Sequence, residues 1–468
     1  MKIKRYLLAR TSIIFSIIIP MLLTLAYIGC SGKEDPLPND KPKPDPEVLI
    51  PFENIPNLSE MIVYEINPLA FGPKGTFDNI VSKLDHIQKL GVNVIWLMPI
   101  FPKGIENGVG SPYAVQNYTD VNPDYGKLSD FKTLVNKAHQ LNMAVIIDWV
   151  ANHTAWDISW IDNDDWYTCD SDGNIINPPG TNWQDVAELN FKNMEMRAEM
   201  IAAMKFWVDN YNIDGFRFDA VDFVPDNFWA QALDSLKSYE NRNLILLAES
   251  GNTNVMKTGF QMLYAWDFQS KLRDIFHQGS NAKNIHQTHA NEYASLKNGN
   301  QRLRYITNHD LCAWDESPSD AFVNANGATA AFVVTAFMGG VPLIYNGQEI
   351  GWPDKISFFN LNPINWNINT EIYSAYTNII KVRQTYHTTI SGSTQALNDN
   401  DVIAFTKTGP SDQLLVVVNT RNKNIDFNLP TTSNTNWSGI LGEASILDGS
   451  KIELKAFEYV VFSRKLSE

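Results

Sequence analysis

Residues 143–153 have the sequence MAVIIDWVANH and residues 213–219 the sequence IDGFRFD, and these two stretches decide the fold. Each is a mainly apolar run that ends in polar or charged residues. Such a run is typical of a strand in a parallel sheet that is buried on both faces. The polar residues that follow parallel strands meet at the carboxyl edge of the sheet, where α/β barrels hold their active sites. The two stretches therefore predict neighbouring parallel strands with a chemically active edge.

Similar apolar runs recur on both sides of these stretches, and there are eight in all. They are Met61–Ile66, Val92–Leu97, Met143–Asp148, Ile213–Phe218, Leu244–Ala248, Phe260–Tyr264, Leu303–Thr307 and Val341–Tyr345. Longer segments with helical spacing of apolar residues lie between them, for example Glu195–Tyr211. Eight alternating strand–helix units predict an α/β fold, a (β/α)8 TIM barrel formed by residues 59–150 and 191–387.

Two segments depart from this alternation. Residues 151–190 follow the third strand, are polar and rich in tryptophan, and are too long for an ordinary loop, so they predict a small inserted domain, domain B. Its aromatic residues either line a ligand cleft or form the core of the insertion, and the sequence leaves both possibilities open. These residues are Trp156, Trp160, Trp166, Tyr167 and Trp183. Short alternating runs after residue 388 predict a C-terminal antiparallel β-sandwich, residues 388–468.

The N-terminal residues indicate export. Four basic residues and an apolar run precede Gly29-Cys30, a pattern typical of a lipoprotein signal peptide, residues 1–29, with lipidation at Cys30. An ordinary cleaved signal with an incidental cysteine is the alternative. Residues 30–58 are rich in proline and predict an extended tether. The segment Ser31–Asp35 resembles the signal that directs lipoproteins of some Gram-negative bacteria to the outer face of the outer membrane. We therefore expect a protein anchored there by its lipid.

Composition narrows the classes of partner. Hydrophobic residues make up 44 % of the chain and charged residues 19 %, which predicts a large folded core. The formal charge is −15, and removal of residues 1–29, with four basic and no acidic residues, makes it −19. A surface this acidic repels nucleic acid, which we exclude as a partner. Beyond Cys30 the chain has only Cys169 and Cys312, too few for a disulfide framework, and the sequence does not decide whether they pair.

Acidic residues follow several of the predicted strands. Asp219 lies two residues after Arg217 on an extended segment, so the two side chains share a face and the guanidinium favours the ionised carboxylate. Glu249 follows the apolar run Leu244–Ala248, where burial and neighbouring anions raise the pKa of its carboxyl group. Two carboxyl groups with opposed pKa shifts are typical of retaining glycoside hydrolysis. Asp219 is then the predicted nucleophile and Glu249 the predicted general acid.

Further polar residues at the same edge have predicted roles toward a sugar. Asp310 is expected to hold sugar hydroxyls and to offset the positive charge of the oxocarbenium-like transition state. His153 and His309 are expected to donate hydrogen bonds to hydroxyls as the ring flattens. Each residue alone is more often a cap or a packed side chain, but all of them follow strands of one predicted barrel.

These residues lie in segments that resemble the four signature regions of the α-amylase family, glycoside hydrolase family 13. The segments are Asp148–His153, Gly215–Asp219, Ala248–Ser250 and Thr307–Asp310. In addition, Ala187–Asn190 resembles the fifth region of the family, and Ser111-Pro112-Tyr113 resembles the loop whose tyrosine stacks under the reacting sugar. The resemblance implies a barrel with domain B and a C-terminal β-sandwich, and retaining action on α-glucans such as starch, maltodextrin or pullulan. Trp314, close behind Asp310, is by position a candidate sugar platform.

Departures from the family pattern leave two properties undecided, the specificity toward leaving-group sugars and the binding of calcium. Many members have Lys and His three and four residues after the nucleophile, where this chain has Asp222 and Phe223, so binding of the leaving-group sugars is expected to differ. Asn152 matches a family calcium ligand, and Glu188 could complete a site with backbone carbonyls. The alternative is that Asn152 hydrogen-bonds the domain B loop. No organic cofactor is expected.

The predicted function is retaining hydrolysis of α-1,4-glucosidic bonds in α-glucans through a covalent glycosyl-enzyme. An α-1,6-active or transglycosylating relative of neopullulanase type is the alternative within the enzyme class. A non-catalytic surface glucan-binding protein is the alternative outside it, although binding alone requires neither a nucleophile nor an acid. The expected partners are an α-glucan, a membrane through Cys30, and surface glucan-uptake proteins.

Overall fold

The structure, a computed structural model, describes residues 50–297, 299–430, 436–447 and 450–466. The predicted signal peptide, the lipidation site Cys30 and most of the predicted tether lie outside the described residues. Within the described ranges, no helix has both the length and the apolar character needed to cross a bilayer.

The first ten strands include a closed parallel barrel. In chain order they are β1 (Val63–Ile66), β2 (Val94–Leu97), β3 (Ala144–Trp149), β4 (His153–Ala155), β5 (Val186–Glu188), β6 (Gly215–Phe218), β7 (Ile245–Ala248), β8 (Met262–Tyr264), β9 (Gln301–Arg304) and β10 (Val341–Tyr345). All except β4 and β5 form the barrel, in the order β1-β10-β9-β8-β7-β6-β3-β2. Val63 pairs with Leu343 on one side and with Val94 on the other, and this pairing closes the cylinder. The predicted (β/α)8 barrel is confirmed, and all eight strands overlap their predicted runs. The seventh barrel strand, β9, lies earlier than the predicted Leu303–Thr307 and shares only two residues with it.

Helices surround the barrel. They are α1 (Phe77–Val81), α2 (Leu84–Lys89), α3 (Leu128–Gln140), α4 (Met194–Tyr211), α5 (Asp226–Lys237), α6 (Trp266–His277), α7 (Asn284–Ala294), α8 (Pro318–Ala321), α9 (Ala325–Phe337), α10 (Thr370–Thr385) and α11 (Thr388–Ser391). Alternate strand residues separate two cores, since successive side chains on a strand point to opposite faces. Val63, Val94 and Leu247 pack inside the barrel, whereas Tyr64, Ile95 and Leu246 pack outward against the helices.

Domain B is a small insertion over the carboxyl end of the barrel. Strands β4 and β5 pair antiparallel, with His153 opposite Glu188. The sequence left open whether the tryptophans of domain B form its core or line a cleft, and the structure shows both arrangements. Trp160 stacks on Tyr118 with ring centroids 5.1 Å apart and contacts Trp166, so these rings form the core of the insertion. Trp183 faces the cleft at the barrel mouth instead.

The C-terminal strands form two antiparallel sheets, as predicted for a sandwich. The strands are β11 (Ser393–Leu397), β12 (Val402–Thr408), β13 (Asp412–Asn419), β14 (Ile425–Asn428), β15 (Ser438–Leu441), β16 (Ile446–Leu447), β17 (Lys451–Leu454) and β18 (Tyr459–Lys465). One sheet has the order β11-β12-β13-β18-β15 and the other β14-β17-β16. The larger sheet also packs against barrel helices, because Phe405 and Val416 belong to the same core as α9 and α10.

The boundary between tether and barrel lies earlier than predicted. Phe52, Ile55 and Leu58 pack against the apolar interior of the barrel, and the Phe52 ring stacks on His139 with centroids 4.4 Å apart. The expected tether of residues 30–58 is therefore too long at its C-terminal end. The proline pattern concealed this boundary, because three isolated apolar residues give no periodic signal. Cys169 is exposed and Cys312 is buried, and both are free thiols.

Candidate active site

A buried arginine at the end of β6 organises the site. Arg217 has no solvent-accessible surface, and its Nη1 donates to Asp148 Oδ1 at 2.7 Å and to Asp219 Oδ1 at 2.9 Å. Its Nη2 forms an ion pair with Glu249 Oε2 at 2.9 Å, and its Nε donates to the hydroxyl of Tyr264 at 3.1 Å. One guanidinium thus holds carboxylates that follow or end three neighbouring strands, β3, β6 and β7. These anions keep the pKa of Arg217 well above its ordinary value despite burial.

Glu249 is arranged to carry a proton at neutral pH. Burial, together with the negative charges of Asp219 and Asp310, raises the pKa of its carboxyl group to about 8, although Arg217 acts in the opposite direction. Its Oε2 accepts a hydrogen bond from the backbone N–H of Ala220 at 2.7 Å, which fixes the side chain beside Asp219. Asp219 keeps a small exposed fraction, 12 % of its side chain, toward the cleft. The two carboxyl groups therefore differ in environment while sharing one arginine.

His309, Asp310 and Tyr113 form the opposite side of the site. The Tyr113 hydroxyl lies 2.7 Å from His309 Nε2, and the two rings stack with centroids 5.6 Å apart. The carboxylate of Asp310 lies 3.4 Å from His309 Nε2, and 43 % of this side chain is exposed to the cleft. Burial disfavours the charged imidazole, but Asp310 and Glu65 outweigh it and raise the pKa of His309 to about 9.

His153 and Trp314 lie on the walls of the same cleft. Burial lowers the pKa of His153, and the Asn152 amide donates to its Nδ1 at 3.2 Å, so a neutral ring with a defined tautomer faces the cleft. Trp314 is 61 % exposed and packs edge-on against Phe358 and Phe359, with centroids 5.7 and 5.4 Å away. This aromatic group forms an open shelf of the kind that sugar C–H faces pack on.

The predicted catalytic and sugar-binding residues all line or adjoin one cleft of about 800 Å³. Its lining includes Asp219, Glu249, Asp310, Tyr113, His153 and His309. Trp314 lies on the same lining, and Arg217 lies directly beneath it, bonded to two of the acids. The structure therefore brings together every residue that the sequence assigned to catalysis or sugar binding.

Sequence reasoning missed the residues under this surface. Glu65 on β1 contacts His309 Nδ1, and Asp148 accepts hydrogen bonds from Arg217, from Tyr113 and, at 3.3 Å, from Trp96 Nε1. A signal for Glu65 was present, because an acid within the apolar run VYEI is unusual in a buried strand. The partner of such an acid depends on contacts across the barrel, which the linear sequence does not display.

Calcium binding by Asn152 and Glu188 stays a prediction, and the contacts of the two side chains are as follows. Calcium takes six to eight oxygen ligands. The Asn152 side chain is engaged with His153, and the Glu188 carboxylate is hydrogen-bonded by Thr168. No group of three or more His, Cys, Asp or Glu side chains suited to a metal occurs in the described part of the chain. The alternative role of Asn152 matches its contacts, since its backbone carbonyl also accepts from Leu189 N in the domain B strand pair.

The structure has a parallel barrel, and two carboxylates are paired with a buried arginine at the carboxyl end of its strands. These features define a class of protein, the barrel glycoside hydrolases. Residues 45–174 and 180–401 match the family model described as alpha amylase, catalytic domain, and the chain belongs to the α-amylase family of glycoside hydrolases, which act on α-glucans.

Individual members of the family resemble this chain at modest identity. Alpha-amylase 3 of Dictyoglomus thermophilum is 26 % identical over 348 residues, which cover 67 % of this chain and 68 % of that protein. The structure of a noncanonic maltogenic alpha-amylase from Thermotoga neapolitana has a TM-score of 0.78 at 25 % identity, covering 88 % of this chain and 100 % of that one. An alpha-amylase structure from Lactobacillus plantarum has the same TM-score at 23 % identity, covering 87 % and 99 %, and supports the fold.

Proposed function

We propose that this enzyme hydrolyses α-1,4-glucosidic bonds with retention at the anomeric carbon. The observation that carries the proposal is the placement of Asp219 and Glu249 on the two terminal nitrogens of one buried guanidinium, each at 2.9 Å. This arrangement places both carboxylates beside one guanidinium, which supports the close spacing that a retaining mechanism requires. Their environments also differ, since burial and two neighbouring anions favour protonation of Glu249.

In the first step, an oxygen of Asp219 attacks the anomeric carbon while Glu249 gives its proton to the glycosidic oxygen. The bond between the anomeric carbon and that oxygen breaks, an ester to Asp219 forms, and the leaving sugar departs as an alcohol. Arg217 donates a hydrogen bond to one oxygen of Asp219 and holds this carboxylate in place before the attack. The exposed carboxylate of Asp310 offsets the positive charge that develops on the sugar.

In the second step, the now ionised Glu249 takes a proton from water. The resulting oxygen attacks the anomeric carbon, the ester bond breaks and the Asp219 carboxylate is restored. Two inversions at one carbon give net retention. Tyr113, His153 and His309 line the cleft where hydroxyls of the reacting sugar can be held.

The variants Asp219→Asn and Glu249→Gln test these roles, with maltoheptaose as substrate. Loss of the nucleophile or of the acid is expected to lower kcat by at least about a thousandfold, because each change removes a group that acts in the transition state. The control is Asp226→Asn, an exposed carboxylate in the first turn of α5, which should retain full activity. Full activity in either site variant, or release of the β-anomer first, contradicts the proposal.

The side of the cleft near Phe223 supports a distinct preference for leaving-group sugars. The Ser250 hydroxyl donates to the Asp222 carboxylate and lies 2.9 and 3.0 Å from its two oxygens, so Asp222 is engaged within the protein. Phe223 is half exposed and packs against Trp183 with ring centroids 5.5 Å apart. An apolar wall replaces the cationic side chains that many family members have here, and it favours a sugar face rather than a fixed set of hydroxyls.

This wall also favours the second candidate, an α-1,6-active or transglycosylating enzyme, because an apolar acceptor side suits an incoming sugar at least as well as water. Product analysis on maltoheptaose, pullulan and isomaltose separates the two. Chain shortening of maltoheptaose without longer products supports α-1,4 hydrolysis. Cleavage of isomaltose but not maltoheptaose, or products longer than the substrate, supports the second candidate.

We also propose that the chain is exported and anchored at the outer membrane through a lipid on Cys30, facing outward, where it can act beside surface glucan-uptake proteins. The support is the sequence pattern before Gly29-Cys30 and the proline-rich tether. Expression of the full chain and of Cys30→Ala in a Gram-negative host tests this. The parent protein should fractionate with the outer membrane and be sensitive to added protease on intact cells. Release of the parent into the soluble fraction contradicts the anchor, and membrane association without protease sensitivity contradicts the outward orientation.

A further inference from the structure

We infer that Glu65 is a positioning residue of the active site, which fixes the His309 ring so that its Nε2–H is presented to Tyr113 and to the sugar in the cleft. The inference rests on the proposed function, in which His309 donates a hydrogen bond to the reacting sugar. It adds a residue from β1 to a site otherwise built from the ends of β3, β6, β7 and the segment after β9.

Burying the carboxylate of Glu65 costs folding free energy, which indicates a role other than stability. It lies in the middle of β1, is fully buried, and shares the interior face of the strand with Val63. Its Oε1 contacts Nδ1 of His309 and accepts from the backbone N–H of His309 at 3.4 Å. Its Oε2 is buried without a hydrogen-bond partner in the described structure. A half-satisfied buried carboxylate is unfavourable for folding, so stability alone does not explain Glu65.

The count of protons on the ring follows from its neighbours. The Tyr113 hydroxyl lies 3.3 Å from Asp148 Oδ2 and 2.7 Å from His309 Nε2. Tyr113 has one proton, and Asp148, held by Arg217, can only accept when ionised. If Tyr113 donates to Asp148, its oxygen must accept from His309, so Nε2 carries a proton. A second proton is shared between His309 Nδ1 and Glu65 Oε1, and it resides on one or the other of these atoms. Nε2 is a donor in both arrangements.

The charges around the imidazole support this assignment. Asp310 approaches Nε2 from the next residue, Asp148 lies behind Tyr113 on β3, and the cation Arg217 lies nearby on β6. Burial and Arg217 disfavour a protonated ring, whereas Asp310 and Glu65 favour it, and the balance raises the pKa of His309. Removing the charge at position 65 takes away one of the two anions that hold the proton on the ring.

For catalysis, the consequence is that the Nε2–H donor of His309 is oriented before the sugar binds. With Nδ1 committed to Glu65, the ring cannot turn or exchange its tautomer, and Nε2–H stays aimed at the cleft wall. The same contact orients Tyr113, whose ring stacks on His309. Loss of Glu65 is then expected to weaken an interaction that strengthens in the transition state, which lowers kcat more than it raises KM.

The test uses Glu65→Gln in the full chain, which keeps the shape and removes the charge. With maltoheptaose, kcat is expected to fall about 10- to 100-fold while KM changes less than about threefold. In histidine-labelled protein, the nitrogen NMR signals of His309, identified by their loss in His309→Gln, should titrate near pH 9 in the parent and below about pH 7 in Glu65→Gln. The alkaline limb of the activity profile should move to lower pH in the same variant.

Glu349→Gln is the matched control. Glu349 is also fully buried and also contacts a histidine, His86 Nε2 at 3.1 Å, but its other partner is Tyr64 on the outer face of β1. It should leave the His309 titration and the pH profile unchanged. An unaltered His309 titration in Glu65→Gln, or equal loss of kcat in both variants, overturns the inference. The titration needs no substrate, so it stands or falls separately from the proposed hydrolysis, which the Asp219→Asn variant tests.

Discussion

At the residue scale, the site depends on charges that are held in place by burial. Arg217 is enclosed by the side chains of Trp96, Tyr113 and Tyr264, with its guanidinium carbon 5.2 to 6.0 Å from their ring centroids. Rings at this distance screen the cation from water without neutralising it. Its full charge therefore acts on Asp148, Asp219 and Glu249, and burial raises the pKa of Asp148 and of Glu249 in opposition to this charge.

One prediction concerns the pH dependence of glucan hydrolysis. Glu249 must be protonated for the first step, and burial with the charges of Asp219 and Asp310 raises its pKa to about 8. Below this pH the acid form dominates, and above it the proton is lost, so kcat/KM should fall tenfold per pH unit once pH exceeds about 8. The profile is measured with maltoheptaose at constant ionic strength. An alkaline limb that begins below about pH 6 contradicts this role for Glu249.

The acids that perform the chemistry, and Arg217 beside Asp219, could be predicted from the sequence, but the contacts of Glu65 and Asp148 could not. Asp219 and Glu249 follow apolar strands directly, and this position alone marks them. Glu65 and Asp148 contact residues that are distant in the sequence and come together only in the folded barrel.

At the element scale, strands were predictable where both faces are buried. Each of the eight barrel strands overlaps an apolar run in the sequence, although β9, Gln301–Arg304, is itself largely polar. In the C-terminal region, the apolar or alternating runs of the sequence are Val402–Thr406, Leu414–Asn419, Ile425–Leu429 and Ala456–Ser463. They coincide with β12, β13, β14 and β18, whereas β11, β15, β16 and β17 have no such run. Four of the five residues of β11 are exposed, and Gly439 interrupts β15. Edge strands such as these form because a neighbour offers hydrogen bonds, and their own sequence carries little periodic signal.

Gly215 gives a prediction about how β6 packs on β7. Its φ is +148°, and a Cβ there would lie 2.1 Å from the backbone oxygen of Ile245. Gly215→Ala must therefore separate two barrel strands, and we expect a loss of roughly 3 kcal/mol or more in the free energy of unfolding. Gly173→Ala is the control, because φ is also positive there, at +86°, but no atom lies within 4 Å of the added Cβ. Similar melting temperatures for the two variants contradict the packing argument.

At the scale of the whole molecule, the C-terminal sandwich is joined to the barrel by a continuous core. Helix α9 is buried along nearly its full length, because it lies between the barrel strands and the larger C-terminal sheet. Phe405 and Val418 from that sheet share a core with Phe332 of α9 and Tyr376 of α10. We therefore expect the barrel and the sandwich to unfold together rather than as separate units.

Lys407 provides a test at this junction. It is 2 % exposed on β12, and burial together with the nearby Arg383 lowers its pKa to about 7. Its folded pKa is below its unfolded value, so the penalty for burying the charge is full below pH 7 and disappears as pH rises toward about 10.5. Lys407→Met should stabilise the protein by at least about 1 kcal/mol at pH 6 and by less at pH 10. Thermal unfolding at both pH values measures this, with the exposed Lys381→Met on α10 as control. A gain that does not depend on pH contradicts the assignment.

The central claim is that Asp219 forms the covalent intermediate of a retaining glycosidase. Reaction with a 5-fluoro-α-glucosyl fluoride, which slows hydrolysis of the intermediate, followed by mass spectrometry of proteolytic peptides, tests it most directly. We expect one covalently bound sugar per chain, carried by the peptide that contains Asp219, and no bound sugar in Asp219→Asn. A label on any other residue, or no adduct from an enzyme that hydrolyses maltoheptaose, contradicts it.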